Sequence, residues 1–295
     1  MNPASSDQCL SPAAAELSRY AVIGDPVEHS LSPVMMNAAF HSLGVSAVYE
    51  KIRVVNAEVE LRKLFDAGYR GLSVTLPHKE AAFRLALKTD ETARAIGAVN
   101  TLRRLDEEGG WEGINTDWLG AVRALEQAGS LKDREAVVIG AGGAARAAVY
   151  GLLRAGARVT VVNRTPSRGE ALAGHFGCAF VPLADLSQTL RNQAFDVAAQ
   201  CTSAGLMGSK AELVLPQAFF HPRMVVLETV YRPVWTPFAL AARDAGCQVV
   251  PGLEMLLHQG VAQLEWWLCR QDEPLPPDKG IDIMREALRK AIAHG

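Results

Sequence analysis

Residues 136–165 read AVVIGAGGAARAAVYGLLRAGARVTVVNRT. An apolar run, a glycine turn, an amphipathic stretch and a second apolar run follow one another within about the length of a mononucleotide-binding unit. Few chains of this pattern escape a parallel sheet with a crossover helix. Gly140-Ala141-Gly142-Gly143-Ala144-Ala145 fits G-x-G-x-x-A at the strand-to-helix seam. The first glycine permits the tight turn, the second lets backbone approach a pyrophosphate, and the small last residue lets the helix pack close. A tight turn binding nothing is the simpler alternative, but the flanking strand and helix fall in the correct phase for a dinucleotide.

The end of the second apolar run discriminates between cofactors. A carboxylate there accepts hydrogen bonds from a ribose 2′-hydroxyl, as NAD enzymes require. This chain instead has Asn163-Arg164-Thr165, with Arg168 a turn later. Guanidinium groups suit a 2′-phosphate bidentately, which predicts NADP(H) over NAD(H). Two solvated arginines at a strand end are the plainer explanation.

The remaining pattern places this unit inside a larger α/β chain. With 295 residues, two domains are expected. Hydrophobic residues at 49% supply the cores, and a net charge of −2 without a basic block argues against nucleic acid or an anionic membrane as partner. No apolar run approaches the roughly 20 residues of a membrane span, and residues 1–18 lack the layout of a signal peptide. They read as a tail. The five cysteines are scattered without CxxC or metal-site spacing, as expected of reduced thiols in the cytoplasm. His175, His221 and His258 suggest no ligand set, so no metal is expected.

Before the glycine unit, strand and helix signals alternate: RYAVIGDP, then the helix PVMMNAAFHSLG; AVYEKIRV, then a helix with Val59, Leu61, Leu64 and Phe65; then the strand GLSVTL. Such alternation predicts a largely parallel sheet covered by helices. VNTLRRLDEEGGWEGINTD reads as a hairpin turning at residues 108–110, and DWLGAVRALEQAG as an amphipathic helix. After the unit, DVAAQCTS, MVVLETV and CQVVPG read as buried strands of the same sheet. LEMLLHQGVAQLEWWL and IDIMREALRKAIAHG, separated by the Pro-rich EPLPP, read as closing helices. Trp266 and Trp267 suit either a homodimer interface or packing within their own domain.

Two short stretches carry chemistry. His29-Ser30-Leu31-Ser32-Pro33 follows the first strand, at the carboxyl end where open α/β sheets bind ligands. Paired hydroxyls at a helix start suit an anion, although capping by Ser32 before Pro33 serves structure alone. GLSVTLPHKE puts Lys79 at a strand-to-helix seam, where the helix dipole repels a cation.

Taken together, GDPVEHSLSPVMMNAAF, GLSVTLPHK, IGAVNT, GINTDWLG, GAGGAARA, NRT, TSAGLMG and GLEMLLHQG closely resemble the shikimate dehydrogenase family, in the family's order from about Tyr20 to Trp267. The resemblance implies a substrate domain from residues 1–118 and 253–295 and a Rossmann-type NADP domain over 119–252. It implies NADPH-dependent reduction of 3-dehydroshikimate to shikimate, within aromatic amino-acid biosynthesis. Ser30 and Ser32 would hold the substrate carboxylate, and Thr75, Asn100, Tyr231 and Gln259 the ring hydroxyls or carboxylate. Lys79 and Asp117 would be the catalytic pair. Gly140, Ala141, Gly142, Gly143, Ala144, Asn163, Arg164, Thr165, Arg168, Thr202, Thr229 and Gly252 correspond to cofactor positions, and Glu91 to another sometimes linked to it.

The residues accord with that chemistry on their own terms. Ketone reduction needs a hydride and a proton; an ammonium can donate the proton and stabilise the developing alkoxide, with a carboxylate to orient it. Taken singly, Lys79 reads as a solvated lysine and Asp117 as a helix cap. Three departures touch the pocket wall and cofactor edge: Ser73 where the family commonly has Asn, Glu228 where Asp is commoner, and WTPF for TPLL. A quinate/shikimate dehydrogenase using NAD(P) is the nearest alternative, because a pocket rejects an added hydroxyl poorly. A methylenetetrahydrofolate dehydrogenase and a non-catalytic shikimate- or quinate-sensing protein stand further off; the latter would lack Lys79 or Asp117, or carry a DNA-binding segment.

Overall fold

The computed structural model describes residues 17–210, 212–268 and 277–293. Most of the expected N-terminal tail, Cys9, Cys269 and most of the Pro-rich break lie outside them. Ser18, expected in the tail, already belongs to the first strand.

Two six-stranded sheets organise the described residues. The first comprises β1 (Ser18–Gly24), β2 (Ala47–Arg53), β3 (Tyr69–Val74), β4 (Lys88–Thr89), β5 (Thr101–Leu105) and β6 (Gly110–Ile114), in the order β2-β1-β3-β5-β6-β4. Strands β1, β2 and β3 run parallel, while β3, β5 and β6 are antiparallel. Helices α1 (Ser32–Ser42), α2 (Ala57–Asp66), α3 (Lys79–Leu85) and α4 (Glu91–Ile96) connect them. Period-two alternation in β1 divides the core. Tyr20 and Val22 join Met35, Met36 and Phe40 on one face, while Ala21 and Ile23 join Leu61, Leu64 and Phe65 on the other.

Some local expectations shift. In α2, Val59 is 48% exposed. Ala57, about 200° away around the helix, takes the core-facing place with Leu61, Leu64 and Phe65. Helix α3 stops at Leu85, and Lys88 and Thr89 pair with β6 as β4.

The second sheet is wholly parallel: β7 (Glu135–Ile139), β8 (Arg158–Asn163), β9 (Ala179–Pro182), β10 (Val197–Gln200), β11 (Val225–Glu228) and β12 (Gln248–Val250), in the order β12-β11-β10-β7-β8-β9. Its helices are α5 (Asp117–Glu126), α6 (Gly143–Arg154), α7 (Pro166–Phe176), α8 (Leu186–Thr189) and α9 (Pro237–Asp244). The chain leaves β7 toward β8 and later returns on its other side as β10. The carboxyl ends of β7 and β10 therefore flank a topological switch point, where such sheets bind ligands. Alternation again splits the core: Ala136 and Val138 pack with α5 and α6 residues, Val137 and Ile139 with Phe238 and Ala242 of α9.

Helices α10 (Gly252–Leu268) and α11 (Pro277–Ala293) return to the first sheet. Leu256, Leu257, Val261 and Leu264 of α10 and Met284 and Leu288 of α11 share the core of Tyr20 and Phe40. Trp267 packs against Tyr20 and Tyr49 and donates its indole N–H to Leu102 O at 3.0 Å. Trp266 stacks under the Arg103 guanidinium. Both tryptophans thus have partners within the chain.

Candidate active site

A cleft of about 600 Å³ opens between the two sheets, lined by residues after β1 and β3 on one side and after β7, β8, β10 and β11 on the other. All but one of the site residues expected from sequence line it. Glu91 does not; it opens α4 instead.

Ser30 and Ser32 are both buried. Leu31 occupies the N-cap of α1 and no side chain caps the helix, so Ser32 is not spent on capping. Ser32 N donates to Ser30 Oγ at 3.3 Å, and the Tyr231 phenol interacts with the Ser30 hydroxyl. Burial pushes the Tyr231 phenol above its ordinary pKa and keeps it a neutral donor.

Lys79 is the first residue of α3, behind His78, whose imidazole is buried against Val54 O at 2.6 Å. Its ammonium donates to Asp117 Oδ2 at 2.6 Å, and both side chains are largely buried. That carboxylate offsets the unfavourable helix-dipole position. Asp117 itself is the first residue of α5, with Thr116 in the cap position and no side-chain cap bond. It therefore is not the cap that its sequence position suggests.

The second carboxylate oxygen is equally constrained. Asn100 Nδ2 donates to Asp117 Oδ1 at 2.9 Å and reaches Gln259 Oε1 at 3.3 Å. Asn100 Oδ1 accepts from Thr101 Oγ1 at 2.8 Å and from Thr116 N at 2.8 Å, which fixes the amide's orientation. Gln263 Nε2 donates to Thr101 Oγ1 at 2.9 Å, its Oε1 accepts from Ser73 Oγ at 2.8 Å, and Ser73 accepts from the Tyr49 phenol at 2.5 Å. A buried relay therefore runs from Tyr49 to the Lys79–Asp117 pair. Gln263 and Tyr49 escaped the sequence reading. Gln263 had a local signal, standing one helical turn after Gln259 on the buried face of α10; Tyr49 had none.

The facing wall fits a dinucleotide. Gly140 has φ +121°, and an added Cβ would lie 3.0 Å from Cys201 O, so the turn demands glycine. Around Gly142 a Cβ would meet nothing within 4 Å, leaving open room for a phosphate above the N-terminus of α6. An added Cβ on Gly143 would lie 3.2 Å from the Lys79 side chain, which brings the glycine turn against the ammonium's stem. Arg164, just after β8, and Arg168, in the first turn of α7, are exposed, and among the described residues neither has a hydrogen-bond or ion-pair partner. Both charges are available to an anionic group.

Glu228 ends β11 with no measurable exposure. Burial, opposed by hydrogen bonds from neutral donors, raises its pKa to about 7.

A buried acid–base pair between an anion-binding helix start and a dinucleotide turn defines a two-domain, nucleotide-dependent oxidoreductase. Comparison with known proteins agrees. The family model described as shikimate dehydrogenase substrate binding domain matches residues 22–102, and the one described as shikimate / quinate 5-dehydrogenase matches residues 123–216. The shikimate dehydrogenase (NADP(+)) of Syntrophobacter fumaroxidans is 52% identical, over 96% of this chain and 97% of that one. Shikimate dehydrogenase of Aquifex aeolicus superposes with a TM-score of 0.82 at 30% identity, covering 94% of this chain and 99% of that one. The Thermus thermophilus enzyme, solved in complex with NADP(H) and shikimate, gives 0.77 at 38% identity, covering 92% and 99%. The chain belongs to the shikimate dehydrogenase family.

Proposed function

We propose that the protein is an NADP-dependent shikimate dehydrogenase, reversibly reducing 3-dehydroshikimate to shikimate in aromatic amino-acid biosynthesis. The observation that carries this reading is the Lys79–Asp117 pair, 2.6 Å apart in a cleft whose opposite wall is a dinucleotide turn.

When bound, NADPH supplies the hydride. Ser30 and Ser32 anchor the substrate carboxylate beside the start of α1, and Tyr231 donates from the same corner. Thr75, Asn100 and Gln259 engage the ring hydroxyls. Lys79 Nζ donates a proton to the carbonyl oxygen and stabilises the alkoxide that forms. Asp117 holds the ammonium in place and, in the reverse direction, favours proton return to it. Gly140, Gly142, Gly143 and the N-terminus of α6 receive the pyrophosphate; Ala141, Ala144, Thr202, Thr229 and Gly252 shape the cofactor's channel. Arg164 and Arg168, with Asn163 and Thr165, receive the 2′-phosphate.

The division into a substrate domain (1–118 and 253–295) and a cofactor domain (119–252) belongs to the same proposal, supported by the two separate sheets. The site requires no homodimer, because its residues come from one chain. No helix among the described residues is long and apolar enough to cross a membrane, and the free thiols Cys178, Cys201 and Cys247 support a cytoplasmic setting.

Initial rates with shikimate and quinate, each against NADP and NAD, test the reading. Shikimate with NADP is expected to give the highest kcat/KM; turnover with quinate and NAD alone would overturn it.

A further inference from the structure

Among the described residues, the buried acidic side chains are Asp117 and Glu228. Asp117 is held by a lysine. Glu228 has no cation bonded to it and is satisfied by neutral donors. Its Oε1 accepts from Val230 N at 2.9 Å and Gln200 Nε2 at 3.3 Å, and its Oε2 accepts from Thr236 Oγ1 at 2.5 Å. Desolvating a carboxylate without a counter-charge costs stability, and an apolar side chain at this site would avoid that cost.

We infer that Glu228 is a positioning residue for the reaction: its carboxylate locks the cofactor-side turn 200–204 and the substrate-side segment 229–231 into one frame. The inference rests on the roles proposed above for Thr202 and Tyr231.

On the cofactor side, Glu228 acts through Gln200. An amide whose Nε2 faces a carboxylate must turn its oxygen the other way. Gln200 Nε2 also donates to Ala204 O at 3.1 Å, and its Oε1 accepts from Thr202 N. Flipping the amide would set its oxygen against the carboxylate and leave Thr202 N facing a donor. Glu228 thereby dictates the turn that presents Thr202.

On the substrate side, Val230 N is tied directly, one residue before Tyr231. Thr236 reaches the carboxylate and also accepts from Ala239 N at 3.1 Å, capping α9. Segment 230–236 is thus held at both ends by one side chain. Gly252, where α10 starts, closes the arrangement. An added Cβ there would lie 2.7 Å from both Glu228 O and Val230 O, so helix and segment are in contact without spare room. Cys201, the residue after Gln200, lines the same cleft as Lys79, so this hub borders the proposed site.

Steady-state kinetics of the full-length enzyme decide the matter, with KM for NADP, KM for shikimate and kcat measured for Glu228→Gln, Glu228→Asp and Gln200→Leu. Glu228→Gln should raise both KM values about tenfold while kcat stays within about threefold, because the Lys79–Asp117 pair is untouched. Glu228→Asp, which keeps charge and acceptors, should recover most of the loss. Gln200→Leu should raise the KM for NADP alone. Both KM values within about twofold of wild type in Glu228→Gln would overturn the inference, as would equal impairment in the Asp and Gln variants. If Glu228→Gln does not fold, Gln200→Leu decides: a shift in both KM values, or in neither, counts against it. Wild-type enzyme inactive on shikimate would sink the proposed function instead; NADP dissociation constants measured by calorimetry on the same variants would then test the cofactor side.

Discussion

The Lys79 ammonium and the Asp117 carboxylate meet at 2.6 Å, and Asn100 Nδ2 holds the carboxylate's other oxygen at 2.9 Å. On the proposed mechanism, proton donor and orienting base are thus fixed before any substrate arrives. Lys79→Ala should lower kcat by about 10²–10⁴ while shikimate still binds. Stopped-flow turnover and equilibrium binding measure the two effects separately; near-wild-type kcat would remove Lys79 from the chemistry.

Arg164 stands at the end of β8 without a partner among the described residues. Arg164→Ala should raise KM for NADP about tenfold and leave KM for NAD within about twofold, since only the former carries the 2′-phosphate. Equal effects on both cofactors would contradict the assignment.

Ser73 links the Tyr49 phenol to Gln263 inside the first domain. Ser73→Ala leaves a buried acceptor without its donor and should destabilise the fold by about 1–3 kcal/mol. Urea unfolding measures this directly, and an unchanged midpoint would show that the link is dispensable.

Glu228 should imprint itself on the pH dependence of stability. Its pKa in the folded chain is raised to about 7 from the ordinary 4.5. Between those values the native chain keeps a proton that the unfolded chain releases. The stabilisation is full below about 4.5, falls as pH rises and is lost above about 7, a span of about 3 kcal/mol. Glu228→Gln removes that slope. Unfolding free energies of both proteins at pH 5 and pH 8 should therefore differ by unequal amounts; a constant difference would refute the raised pKa.

The sequence made the second sheet readable because its strands are short continuous apolar runs separated by glycine and polar punctuation. The glycine turn and the arginines after β8 are local signals, legible in a window of about 30 residues. Short elements such as β4 and α4 were not, since two paired residues or six helical ones carry no period. The expected site residues other than Glu91 line one cleft, but how they bond to one another was hidden. Asn100 stands 159 positions before Gln259 and 163 before Gln263, and meets them only through tertiary packing. Ser73 was recognisable as a departure from the family; that it joins Tyr49 to Gln263 followed only from the register of β1, β2 and β3 and the packing of α10 against them.

Lys79, Asn100 and Gln259 all stand on elements packed with the first sheet, and Asp117 is bonded to two of them, whereas the glycine turn belongs to the second sheet. In the proposed reaction the proton side is therefore assembled once the chain has folded, and the hydride side is completed when the cofactor binds. Asp117 opens α5, whose later turns pack on the second sheet, but its carboxylate is tied to Lys79 and Asn100. A change in the angle between the sheets would therefore alter how far the hydride must travel while those bonds hold the proton side together. Substitutions at the joint between the sheets should accordingly show as altered hydride isotope effects at unaltered pH profiles, separating in kinetics what the fold separates in space.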